Sequence, residues 1–84
     1  LGLICSHDAE GVLLSVNPAG AEALEYEPRE MIGRSLRDFL SPEAQKNFPL
    51  YLEQIRRGGE ASGLMHILTK SGRERVWQYN NVLY

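Results

Sequence analysis

Cys5 and His7 stand two apart near the start of the chain, with Asp8 next in line. Thiolate, imidazole and carboxylate are groups that ligate zinc, and alternation along a strand puts Cys5 and His7 on one face. A tetrahedral site needs a second pair of ligands, which the sequence does not supply. The simpler reading is a small buried hydrophobe at Cys5 and a turn residue at His7, with no metal expected. His66, between Met65 and Ile67, reads as a structural or interface histidine on the outer face of a strand rather than an acid–base group. Asp8, Glu10, Glu27, Glu30, Asp38 and Glu43 fall at turns and helix starts, where caps and helix dipoles favour acids. Nothing places two of them in one cleft for general acid and base work. Gly58-Gly59-Glu60 lacks the preceding strand and following helix of a phosphate-binding loop and reads as a helix stop. No nucleophile with its base is visible, so the chain itself is not read as an enzyme and no catalytic residue is assigned.

Composition bounds the rest. With 84 residues, 43% of them hydrophobic, residues 1–84 make one small domain with one core. Cores of chains under roughly 100 residues are marginal and often lean on partners. A formal net charge of -2 argues against nucleic acid, because tracking phosphates requires an excess of Lys and Arg. A single cysteine cannot close an internal disulfide, which points to a reducing, cytoplasmic compartment. No apolar run approaches the ~20 residues of a membrane span, so no direct membrane insertion is expected, although a parent protein could be anchored elsewhere.

These residues must be positioned by strands and short helices. Leu1 to Ser6 and Val12 to Val16 are apolar runs joined by His7-Asp8-Ala9-Glu10-Gly11 and read as a hairpin. Asn17 to Leu40 breaks into three short helices: Asn17 caps the first with Pro18 at its first position, Pro28 opens a second that Gly33 ends, and a third runs through Leu36, Phe39 and Leu40. Ser41-Pro42-Glu43 restarts a helix along which Phe48, Leu52 and Ile55 recur until Gly58-Gly59, with Pro49 either a kink or the start of its main part. Leu64 to Thr69 and Arg75 to Tyr84 are two further strands joined by a polar four-residue loop, Lys70-Ser71-Gly72-Arg73.

The three punctuated helices between two strands and two strands resemble the PAS family of sensory modules. Asn17 matches the family's Asn at the start of its first helix, Tyr26 follows that helix, and Met31-Ile32-Gly33 matches its hydrophobic-Gly pair. The resemblance covers essentially the whole chain. It implies an α+β fold: an antiparallel sheet with the first two strands central and the last strands to one side, and short helices plus one longer helix on one face. Four of five strands are present. In the family order the missing C-terminal strand lies beside the first, and its absence would leave open backbone edges that a truncation, disorder or a partner's strand would explain.

The tract Thr69-Lys70-Ser71-Gly72 followed by Trp77-Gln78 is similar to the hairpin of the flavin-binding LOV branch, whose polar residue after the Trp points into the pocket. The analogy turns Val76, Gln78, Asn80 and Val82 toward the helices and Trp77, Tyr79, Asn81 and Leu83 outward. Met65 and Ile67 then face inward, and Leu64, His66 and Leu68 outward. The implied pocket is lined by Met31, Leu36, Leu40, Leu52, Ile55, Met65, Ile67 and Val76, with Gln78 and Asn80 as its polar groups. The implied outer face carries Leu64, Leu68, Trp77, Tyr79 and Leu83, an apolar surface for a homodimer or a flanking segment.

The cofactor branches of the family can be tested by residue. After Gly33-Arg34-Ser35 comes Leu36 rather than the LOV cysteine, and the long helix has no His for haem. No cofactor is expected, leaving a small organic ligand or non-covalent flavin as pocket occupants. The function implied is a sensory module of a larger bacterial regulator, of the sensor histidine kinase (two-component) or diguanylate cyclase type, whose pocket or dimer contacts control an output domain of the same polypeptide. The alternatives are a structural interaction domain with a filled core and, behind it, a flavin redox sensor.

Overall fold

The computed structural model describes residues 2–84. Their order is β1 (Leu3–His7), β2 (Leu13–Val16), α1 (Pro18–Ala23), α2 (Pro28–Met31), a 3₁₀ turn (Leu36–Phe39), α3 (Pro42–Lys46), α4 (Phe48–Gly58), β3 (Glu60–Leu68) and β4 (Glu74–Leu83). Three of the four α-helices begin directly at a proline, whose fixed φ and missing N–H suit the first turn. Pro49 sits in the first turn of α4 rather than kinking it. The first strand differs slightly from its sequence reading: Leu1 lies outside the described residues, and His7 belongs to β1. β3 starts earlier than its apolar run, because Gly59 turns the chain in the left-handed region (φ 78) and Glu60 pairs with Val82.

The helices cover one face of a four-stranded sheet of order β2-β1-β4-β3. The core between them contains Leu3, Leu13, Leu24, Met31, Leu36, Phe39, Ile55 and Ile67, each no more than 1% exposed. The sheet is mixed, not antiparallel throughout. β1 pairs with β2 antiparallel but with β4 in parallel, Leu3 opposite Tyr79 and His7 opposite Leu83. β1 and β4 are therefore central and β2 is an edge, contrary to the expectation that the first two strands would be central. The slot beside β1 that the resemblance assigns to a fifth strand is filled by β4. Buried strand N–H and C=O groups need partners, and β4 supplies them in the direction its own hairpin dictates.

The hairpin between β3 and β4 corrects the facing of the last strand. Its loop has three residues, not four. Gly72 donates to the carbonyl of Thr69 (2.9 Å), Gly72 itself turns left-handed (φ 91), and Thr69 N–H then pairs with the carbonyl of Arg73 (2.8 Å). This turn followed by a left-handed residue is a favoured three-residue connection. One residue fewer in the loop moves every side chain of the partner strand to the other face. Met65 consequently lies opposite Trp77, and Gly63 opposite Tyr79. Trp77, Tyr79, Asn81 and Leu83 point toward the helices, Tyr79 and Asn81 buried and the other two half-buried. Val76, Gln78, Asn80 and Val82 are exposed on the outer face. On β3 the expected facing holds: Met65 and Ile67 are buried while Leu64 and His66 are exposed.

Asn17 also acts differently from its sequence reading. It occupies the cap position of α1, and its carbonyl accepts from Ala21, but its side chain makes no cap bond. Its Oδ1 accepts from the N–H of Ile4 (2.8 Å), and its Nδ2 donates to the carbonyl of Gly2 (3.1 Å). The amide thus serves β1 as an extension of the β2 edge. A Cβ on Gly20 would fall 2.5 Å from Asn17 Oδ1, so the glycine makes room for this arrangement. Gly33 ends α2 in the left-handed region (φ 89) and donates to the carbonyl of Leu13 (2.8 Å), covering part of the β2 edge.

Candidate functional site

The core contains a continuous polar chain. His7, fully buried on β1, lies with Nδ1 2.8 Å from the carbonyl of Asp8 and Nε2 2.7 Å from the hydroxyl of Tyr51 on α4. A carbonyl only accepts, so Nδ1 carries the proton, an assignment made from its partners. Nε2 then accepts from the Tyr51 hydroxyl. That oxygen accepts from Asn81 Nδ2 (2.9 Å), and Asn81 Oδ1 accepts from the N–H of Cys5 (3.3 Å). Every donor finds an acceptor in one direction, with neutral groups throughout. Burial, partly offset by the bond from Asn81, raises the pKa of Tyr51, and burial pushes the Cys5 thiol up to about 12. Both groups therefore stay protonated at neutral pH. Cys5 has no thiolate for nucleophilic work, and among the described residues no group of three or more His, Cys, Asp or Glu is placed to hold a metal. The chain's effect is mechanical: it ties the long helix to the two central strands. Sequence reading missed it. The available signal is that Tyr51 falls three residues after Phe48 and four before Ile55 and so shares their buried stripe.

Beside this chain an open cleft of about 490 Å³ lies between α3, α4 and the edge strand β3. Phe48, Tyr51, Met65 and Tyr79 form much of its floor, with Tyr51 stacked on Phe48 (centroids 5.7 Å apart) and edge-on to Tyr79 (5.6 Å). Leu50 and Leu64 stand exposed on its rim. Glu43 and Glu74 supply carboxylates, with His66 beside Glu74 at 3.6 Å. Of the ten residues expected to line a pocket, Leu40 and Met65 reach this cleft. Met31, Leu36, Ile55 and Ile67 are buried in the packed core, and Leu52 is half-buried against it. Val76, Gln78 and Asn80 are on the opposite face of the sheet, so their amides do not enter any helix-side pocket.

The outer face is apolar with a membership different from the expected one. Leu64 is on it, and Leu68 is half-buried there, whereas Trp77, Tyr79 and Leu83 are inside. The exposed large apolar side chains on β1, β3 and β4 are Ile4 (53% exposed), Leu64 (72%), Val76 (54%) and Val82 (45%). Ile4 lies opposite Asn80 and is therefore diagonal to Val82, and Leu64, opposite Gln78, is diagonal to Val76. The two apolar pairs flank Gln78 and Asn80 along β4.

The hairpin tip is held from the other side. Glu25 accepts from the N–H of Ser71 (2.9 Å) and from Arg73 (3.3 Å), and Lys70 reaches Glu30 at 2.6 Å. The bonds to Ser71, with Arg73 adding charge, hold the Glu25 carboxyl down at about 2. This clamp fixes the β3–β4 turn and hence the facing of both strands.

The domain is thus a mixed sheet with helices across one face, a side-opening cleft and an uncovered outer face. The sequence pattern of the family described as PAS fold matches residues 2–82. The chain belongs to the PAS family, and so to a class of sensory and signalling modules that are in general non-catalytic. Among the described residues no helix is long and apolar enough to cross a membrane.

Proposed function

We propose that this chain is the sensory and dimerisation module of a larger bacterial regulator, of the sensor histidine kinase or diguanylate cyclase type, and that it acts in the cytoplasm on an output domain of the same polypeptide. The observation that carries this reading is the outer face: Ile4 with Val82 and Leu64 with Val76 stand exposed as two apolar pairs on the side of the sheet that no helix covers. Exposed apolar side chains rimmed by polar ones mark interfaces, and a second copy brings the same face to meet it across a two-fold axis. Gln78 and Asn80 at its centre supply amide hydrogen bonds that set register across such an interface. Sedimentation velocity of the chain should show a concentration-dependent dimer, and Val76→Arg with Val82→Arg should return it to monomer with its melting temperature little changed. A monomer at all concentrations would overturn the assembly reading.

A second reading assigns the cleft the input, and its size favours it, since ligand sites usually span about 300–1,000 Å³. The occupant is a small organic molecule without a visible chromophore. Flavin has lost its support, because Gln78 and Asn80, the amides expected to meet its ring, lie on the far side of the sheet. Binding there would shift the position of α4, which Tyr51 ties to β1 and β4, and a ligand that prefers one position shifts the population toward it. An absorbance spectrum of the mildly purified protein tests the chromophore-free part: a stoichiometric band in the visible would overturn it.

A further inference from the structure

We infer that the cleft takes an extended basic peptide, which adds as a strand to the free edge of β3. The inference takes from the second reading above only that the cleft is a binding site, and puts a peptide there in place of a small molecule.

The backbone supports it first. Just beyond the two ends of β3, Thr69 N–H bonds to the Arg73 carbonyl and the Gly59 carbonyl accepts from Leu83 N–H, so in the ladder between them the odd-numbered residues of β3 are the ones that bond to β4. Alternation then turns the N–H and C=O of the even-numbered residues outward. At one end this edge is already in use: the carbonyl of His66 accepts from Ser41 N–H (3.0 Å), and Leu40 bridges Ile67. Beyond Ser41 the chain leaves the edge to form α3. The outward groups of Leu64 and Ser62 have no partner among the described residues. Leu40-Ser41 thus begins a fifth ladder that stops where the cleft begins. Edges left flat and unpaired are templates for another strand, and a compact small molecule would leave most of these groups unused.

The side walls support it next. A strand on this edge sends alternate side chains into the cleft, onto the floor of Phe48, Tyr51 and Tyr79, and the remainder over Leu64. Its charge follows from the rim, where Glu74 is acidic with His66 beside it (3.6 Å), Glu43 is paired with Lys46 (3.2 Å), and no Lys or Arg is among the lining residues. Glu60 lies at the far end of the same edge. An extended segment alternating apolar residues with Lys or Arg satisfies the backbone, the floor and the rim together, which is the recognition mode of strand addition.

The test uses a fluorescein-labelled peptide of sequence Lys-Val-Lys-Val-Arg-Ile-Lys-Val, read by anisotropy against the 84-residue protein. Binding is expected, and it should fall by about tenfold or more when alternate peptide amides are N-methylated, because the ladder bonds are then lost. Leu64→Pro removes an outward N–H, a change that edge strands tolerate, and should weaken binding similarly with the melting temperature retained. Glu74→Lys should weaken it in a salt-dependent way, and Ile32→Arg, at an exposed side chain outside the cleft lining, should leave it unchanged. Equal binding of the N-methylated peptide, or of a counterpart with Glu in place of every Lys and Arg, would overturn the inference. So would the absence of binding to the wild-type chain, whatever the outcome for the dimer.

Discussion

Tyr51 donates to His7 and accepts from Asn81, so replacing it with Phe keeps the ring but strands a buried imidazole nitrogen and a buried amide. The cost should be about 1–3 kcal/mol, the ordinary penalty for unsatisfied buried groups, read from denaturant melts. The nearby aromatic packing should be retained. Asn17 offers a sharper contrast. Asn17→Ala should cost about 1 kcal/mol and should speed hydrogen exchange at the Ile4 amide, which Asn17 Oδ1 holds. A side chain that capped α1 would instead protect the amides of the first helical turn. The sequence marks Asn17 as structural through the Asn-Pro pair, but its partners lie 13 and 15 residues upstream, and local spacing carries no information about them. His7 and Asn81 were hidden for the same reason: each is a polar residue in an apolar run, and only the third member on α4 explains their burial.

At the scale of elements, the punctuation of the chain by Pro and Gly made the helices legible, because those residues constrain φ locally. All three short helices between Pro18 and Phe39 are found, and the prolines stand at their starts rather than inside them. Strand facing was not legible, since it depends on whether the hairpin loop holds three residues or four. The Thr69–Arg73 turn is held to α1–α2 by Glu25, and pH reports on that clamp. The Glu25 carboxyl is held well below its ordinary value of 4.5. The folded form thus binds a proton less readily than the unfolded chain, so the contribution of the clamp is fully present above about pH 4.5 and lost as pH falls through about 2. Glu25→Gln should therefore lower stability at neutral pH and flatten the acid dependence, so that the two melting temperatures converge at low pH. Parallel curves over that range would show that Glu25 does not hold the hairpin.

For the whole molecule, the distinction between the two faces of β4 decides what the domain can do, and two neighbouring substitutions separate the alternatives. Trp77 is half-buried and packs against the core from β4 opposite Met65. Val76, one residue away, is on the uncovered side at 54% exposure. Trp77→Arg loses the packing of an indole and directs a charge beneath the helices, which should cost about 3 kcal/mol or more and lower the melting temperature by many degrees in a domain of this size. Val76→Arg exchanges an exposed methyl pair for a solvated guanidinium and should leave the melt of the monomer nearly unchanged, while placing like charges across any two-fold contact between outer faces. Melting and sedimentation of the two variants side by side give four readings from one pair of substitutions. If Trp77→Arg melts as the wild type does and Val76→Arg unfolds, the strand faces the other way, and Gln78 and Asn80 return to the helix side. If Trp77→Arg alone unfolds, the loop of three residues is the feature that turns an apolar hairpin into one buried face and one face left for a partner.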